Sequence, residues 1–243
     1  MTDESVFLSI IIPARNEQEN IESTLDGLIP QVNSEQTEII VVNDHSDDKT
    51  VSLVEKLATR CGMIKLVHNN DAPGFANALK TGFRHATGEY VLPMMADSCD
   101  DPRTIPLMLE KARQGYDLVC GCRYARHGGK KGGPKIQGFF SRFVGVSLHF
   151  LTRIPTLDAS NAFKMYRRSI VASMELLEKG FAVSMEAALR FYHSGCSICD
   201  VPTIWRGREK GKSKFKISRT FPYVKLYFYA LFYHGYFNSR ARV

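Results

Sequence analysis

Five short apolar runs, separated by four stretches with apolar residues at helical spacing, leave this chain few ways to fold. The runs are FLSIIIPA (7–14), TEIIVVND (37–44), MIKLVHN (63–69), EYVLPMM (89–95) and YDLVCGC (116–122). The first two are apolar on consecutive rather than alternate residues, the mark of strands covered on both faces. Between them, Ile21, Leu25 and Leu28, and then Val51, Val54 and Leu57, recur at the helical period. Strand and helix in alternation require a mainly parallel sheet with helices on both faces, an α/β fold. Asn16 with Glu19 is expected to start the first helix, and Ser46 or Asp47 to cap the second.

In such sheets ligands bind beyond the carboxyl ends of the strands. The tips that matter are therefore 13–17, 43–48, 69–74, 97–101 and 121–126. Neither a Gly-rich dinucleotide fingerprint nor a phosphate-binding P-loop follows the first strand. The stretch GEYVLPMMADSCDDP (88–102) runs apolar and then ends in Asp97, which delivers a carboxylate to the sheet rim. One such carboxylate can ligate Mg2+, because that ion keeps several waters and takes phosphate oxygens from a substrate. Asp100 is a second candidate ligand. Asp44 stands just past a buried strand, where it can accept hydrogen bonds from a base or a ribose. Arg123, Arg142 and Arg208 are the candidates for gripping phosphate, since a guanidinium binds its oxygens bidentately.

Beyond residue 122 the pattern loosens. RYARHGGKKGGPK (123–135) is a basic, Gly-rich loop, and the apolar segment 136–154 is expected to be helical. LDASNAFKMYRRS (157–169) returns to the sheet as a strand or turn, and two helical stretches reach Ser194. IWRGREKGKSKFK (204–216) is a second basic loop, and an aromatic segment closes the chain.

The 243 residues suit one large domain, and the 44% hydrophobic and 23% charged content is ordinary for a globular protein. No apolar run reaches the ~18 residues that span a bilayer. The acidic start MTDESVF argues against a cleaved signal. The net charge of +7 is unevenly spread. Residues 118–157 and 210–243 lack acids and hold fifteen Lys/Arg, leaving 17 basic against 25 acidic residues elsewhere. Such segregation calls for an anionic partner, phosphates or an anionic membrane. Nucleic acid is not expected, since no recognisable nucleic-acid module is present. The six cysteines fit no standard zinc spacing and read as free thiols in a reducing cytosol.

The order PARNE, VVNDHSDDKT, GFANALKTGFRHATGEY, MMADSCDDP, GCRY and RGREKGKSKF resembles the family 2 glycosyltransferases of the GT-A fold, and within them the polyprenol-phosphate branch, the dolichol-phosphate mannose synthase-like enzymes. The likeness covers residues 7–218. It implies an inverting transfer of a sugar from a nucleotide-sugar donor to a polyprenyl phosphate acceptor. It implies that Pro13, Arg15, Glu17 and Asp44 hold the nucleotide and that Asp97 holds Mg2+ or Mn2+. Arg123 and Arg142 would meet the acceptor phosphate, and Arg208 the donor phosphates, with Lys214 nearby. This chain departs from the family's Asp-Ala-Asp, which is Met95-Ala96-Asp97 here, and has Cys99 where a Gln is frequent.

The resemblance divides the chain into a transferase domain, 1–218, and a C-terminal aromatic helix, 219–243. Its composition suits a membrane interface or docking on the core. Localisation at the cytosolic membrane face follows, on an anionic surface or a membrane-embedded partner. The two basic stretches are expected to converge on one side of the domain. Two alternatives stand beside this reading: a hydroxyl acceptor, and a non-catalytic nucleotide-sugar-binding subunit.

Overall fold

The computed structural model describes residues 6–133, 135–208 and 220–237. Seven strands form the main sheet: β1 (Leu8–Ala14), β2 (Thr37–Asn43), β3 (Ile64–His68), β4 (Tyr90–Pro93), β5 (Leu118–Cys122), β7 (Lys164–Arg167) and β8 (Ile198–Pro202). Their order is β3-β2-β1-β4-β7-β5-β8, and all pairings are parallel except those of β7. The helices are α1 (Ile21–Leu28), α2 (Thr50–Ala58), α3 (Phe75–His85), α4 (Ile105–Arg113), α5 (Lys135–Thr152), α6 (Arg168–Ser173), α7 (Val183–His193) and α8 (Phe221–Phe232).

The alternation of side chains along each strand divides the core in two. Ile10, Ile12, Ile39, Val41, Leu92 and Val119 point to one face, where α1, α2 and α4 contribute Leu25, Val54 and Met108. Ile11, Ile40, Val42, Val91 and Leu118 point to the other, where α3 and α7 contribute Leu79 and Leu189 and α8 contributes Leu226 and Ala230. The continuous apolar runs of β1, β2, β4 and β5 are thus explained, since both sets of their side chains are buried, while β3 at the sheet edge exposes Lys65 and His68. The segment expected to return to the sheet does so as β7, inserted antiparallel between β4 and β5.

Both expected helix starts are corrected. Asn16 has a positive φ of 54° and exchanges hydrogen bonds with Asp47: its Nδ2 donates to Oδ1 (2.6 Å) and the Asp47 amide donates to its Oδ1 (3.0 Å). The two polar residues answer each other across neighbouring tips, and α1 begins only at Ile21. At α2 the Thr50 amide donates to Asp48, not to Ser46 or Asp47.

A small second sheet joins the two basic loops. β6 (Gly129–Lys131) runs parallel to β9 (Ile204–Arg206), with Lys130 opposite Trp205 and Lys131 opposite Arg206. α5 also packs on α8, where the Tyr227 hydroxyl donates to Ser147 (3.0 Å). Among the described residues, the two acid-free stretches therefore meet on one side.

Candidate active site

The strand tips converge as the parallel topology demands. At the first, Pro13 is half-buried in β1, Arg15 is exposed, and Glu17 forms an ion pair with Arg208. This brings residues 191 positions apart together. Glu17 and Asp97 both raise the Arg208 pKa against the effect of burial, which acts to lower it. Arg208 is thus held between the first and fourth tips. At the second tip Asp44 is buried and accepts from the Gly74 amide (3.0 and 3.1 Å) and from Asn69 Nδ2 (2.8 Å). Its carboxylate fastens the loop leading into α3. Lys214 lies outside the described residues.

At the fourth tip the three acids have different fates. Asp97 is half-buried and accepts the Cys99 amide at 3.2 Å. Asp100 is turned inward, where Oδ2 accepts the Met95 amide (2.9 Å). Burial, reinforced by the nearby Asp97 charge, pushes its pKa up to about 7. Asp101 accepts from Arg103 and from Arg206 Nη1 (3.0 Å). The Arg103 hydrogen bonds are the largest cause that lowers its pKa to about 2. Among the described residues no three His, Cys, Asp or Glu gather as a ready-made metal cage. Asp97 alone fits a hard cation that completes its shell with diphosphate oxygens and water.

The fifth tip holds Arg123. Its Nε and Nη2 donate to the two oxygens of Asp158 (both 2.7 Å), and its amide donates to the same carboxylate (3.0 Å). Nη2 also donates to Ser141 on α5 (3.0 Å) and to Ser160 (3.4 Å). Burial works against the guanidinium charge, and Asp158 more than offsets it, so the pKa is raised. Gly145 lets α5 seat here: a Cβ would meet the Leu157 carbonyl oxygen at 2.2 Å. Asp158 was not foreseen; the available signal was its isolation beside a long acid-free stretch. Tyr223 of α8 lies close enough for Arg123 to oppose the rise that burial gives its phenol.

Arg142 is exposed on α5, where it lines an open apolar groove of about 320 Å3 with Phe139, Phe143, Val146 and Ser147. The same helix exposes Phe140, Phe150 and Leu151, and α8 exposes Phe221, Phe228 and Phe232. No helix among the described residues is long and apolar enough to cross a membrane.

Comparisons with known proteins bear on the family and the fold. A dolichol-phosphate mannosyltransferase of Pyrococcus furiosus is 29% identical over 220 residues, covering 90% of this chain; the chain spans only 62% of that protein's length. A polyprenol monophosphomannose synthase of Mycolicibacterium smegmatis is 29% identical over 215 residues, covering 84% of this chain and 79% of that protein. Glucosyl-3-phosphoglycerate synthase from Mycobacterium tuberculosis, solved with Mn2+, uridine diphosphate and glucosyl-3-phosphoglycerate, superposes with a TM-score of 0.69 at 19% identity. That match covers 93% of this chain and 80% of the other, and it shows the shared GT-A fold. The family model for glycosyl transferase family 2 matches residues 9–174, and the chain belongs to that family.

Proposed function

We propose that the protein transfers a sugar, with inversion, from a nucleotide-diphosphate sugar to a polyprenyl phosphate at the cytosolic face of a membrane. One observation carries the acceptor assignment. Ser141 on the inner side of α5 bonds Arg123 at the sheet rim, while Phe139, Phe140 and Phe143 on the same helix are exposed. A cation at the rim and an apolar surface beside it suit a phosphate with a lipid tail. The exposed aromatics of α5 and α8, with the basic stretches, would rest on anionic headgroups, each basic residue near the surface contributing ~1 kcal/mol. A membrane-embedded partner would use the same face.

The chemistry needs no general base. A lipid monophosphate has its second pKa near ~6 and is largely a dianion at neutral pH. Its oxygen attacks the anomeric carbon directly, the bond to the nucleotide diphosphate breaks, and configuration inverts. Arg208 balances charge on the departing diphosphate. Asp97 would hold Mg2+ or Mn2+, which supplies further charge neutralisation there. Glu17 holds Arg208 in place, and Pro13, Arg15 and Asp44 shape the nucleotide's seat.

Incubation with radiolabelled nucleotide sugars, with and without polyprenyl phosphate, tests this. Label should enter an organic-extractable lipid that mild acid releases. Label transferred only to a hydroxyl acceptor would replace this reading. Met95 and the inward-turned Asp100 favour one other reading, a binding subunit without turnover. Calorimetry that finds nucleotide binding but no transfer to any acceptor would favour it.

A further inference from the structure

Lys130 was counted above only as one charge in a basic loop, yet its placement is specific. It lies on β6 opposite Trp205 of β9, and its Nζ stands 4.9 Å from the centre of the Trp205 ring. The ladder that fixes this register is closed at both ends, by the Gly129 amide donating to the Thr203 carbonyl (2.9 Å) and the Gly207 amide to the Lys131 carbonyl (2.7 Å). A Cβ at Gly133 would come within 2.9 Å of the Trp205 ring and 3.4 Å of Lys130 Cε, and one at Gly138 within 3.4 Å of Lys130 Nζ. The glycines on both sides therefore make room for this stacked pair. Gly138 lies on α5 one turn before Ser141, which bonds Arg123.

Two like charges thus converge beside the first turns of α5. Burial lowers the Lys130 pKa, and the Arg123 charge lowers it further. Each cation is held by its own scaffold: Arg123 by Asp158, and Lys130 by the aromatic face of Trp205. Two cations held close to one another repel, and an anion between them relieves that repulsion.

Resting on the transferase reading above, we propose that Lys130 is a second ligand of the acceptor phosphate, presented by Trp205, so that the phosphate sits between Lys130 and Arg123. The small sheet also connects the two substrates. The residue after Trp205, Arg206, donates its amide to the Cys99 carbonyl (2.9 Å) and pairs with Asp101 at the donor side.

The chain contains a single tryptophan, so its emission reports directly on this pair. Titration of the full chain with farnesyl phosphate should change Trp205 emission saturably, and farnesol should not. Lys130→Met should weaken farnesyl phosphate binding about tenfold or more, as for loss of a charged hydrogen bond. Lys130→Arg should retain most of the affinity. Nucleotide diphosphate affinity by calorimetry should be unchanged in both variants, and Lys130→Met should lower the thermal midpoint by no more than loss of the Trp205 contact allows. Equal responses to farnesol and farnesyl phosphate, or undiminished affinity in Lys130→Met, would overturn the proposal. Farnesyl phosphate binding without sugar transfer to it would instead sink the transferase reading and leave the phosphate site standing.

Discussion

Asp158 is fully buried, and both of its carboxylate oxygens bond Arg123, with Ser160 also donating to Oδ1. Removing one partner of such a pair strands the other charge in a poorly solvated place, at a cost of about 3–5 kcal/mol. Asp158→Ala should therefore lower the urea midpoint substantially, and an unchanged midpoint would mean that water reaches Arg123 freely. Asp97 is the contrasting case. It is half-buried at a rim, so Asp97→Asn should melt like the parent protein and lose metal-dependent transfer. Equal turnover in that variant would remove Asp97 from the chemistry. Asp44→Ala should release Gly74 and Asn69 and weaken nucleotide binding with little change in acceptor affinity, which calorimetry would report.

At the scale of elements, Glu38 near the start of β2 shows how the sheet is tied. It accepts from Ser9 on β1 (2.6 Å), from Lys65 on β3 (2.7 Å), and from both the amide and the hydroxyl of Thr87 before β4 (2.7 Å each). Burial works against the charged form, but these partners outweigh it and lower the pKa to about 2 from 4.5. The folded state thus prefers the ionised group, and its stabilisation is present above pH 4.5 and lost as pH falls through about 2. Glu38→Gln should be less stable than the parent at pH 7, and urea midpoints of the two should approach one another as pH falls across that window. β1, β2, β4 and β5 could be read from the sequence because burial on both faces writes itself as a continuous apolar run, whereas β3, at the sheet edge with Lys65 and His68 exposed, was legible from its place in the strand–helix alternation. β8 and β9 could not: β8 carries Asp200 and Pro202 within it, and β9 is only three residues long. Asp97 and Asp44 could be placed at tips because strand ends are local. Asp158 with Arg123, and Lys130 with Trp205, required a tertiary register that no spacing along the chain discloses.

Over the whole molecule, charge and apolar surface share one side, where α5 and α8 pack together and β6 joins β9. Flotation with vesicles should show binding that needs anionic lipid and fades with salt. It should weaken when Phe143 and Phe228 are both changed to Ser, or when Lys212, Lys214 and Lys216, which lie outside the described residues, are neutralised. Binding indifferent to lipid charge and salt would leave the aromatic surface or a partner as the anchor. The same molecule carries a built-in ruler. Because β7 is wedged antiparallel between β4 and β5, the tip with Asp97 and the tip with Arg123 spring from strands two spacings apart, about 10 Å. That gap is set by backbone ladders, which side-chain substitutions scarcely move. Under the proposed function, the backbone ladders rather than the side chains therefore set how far apart the donor-side and acceptor-side strands stand.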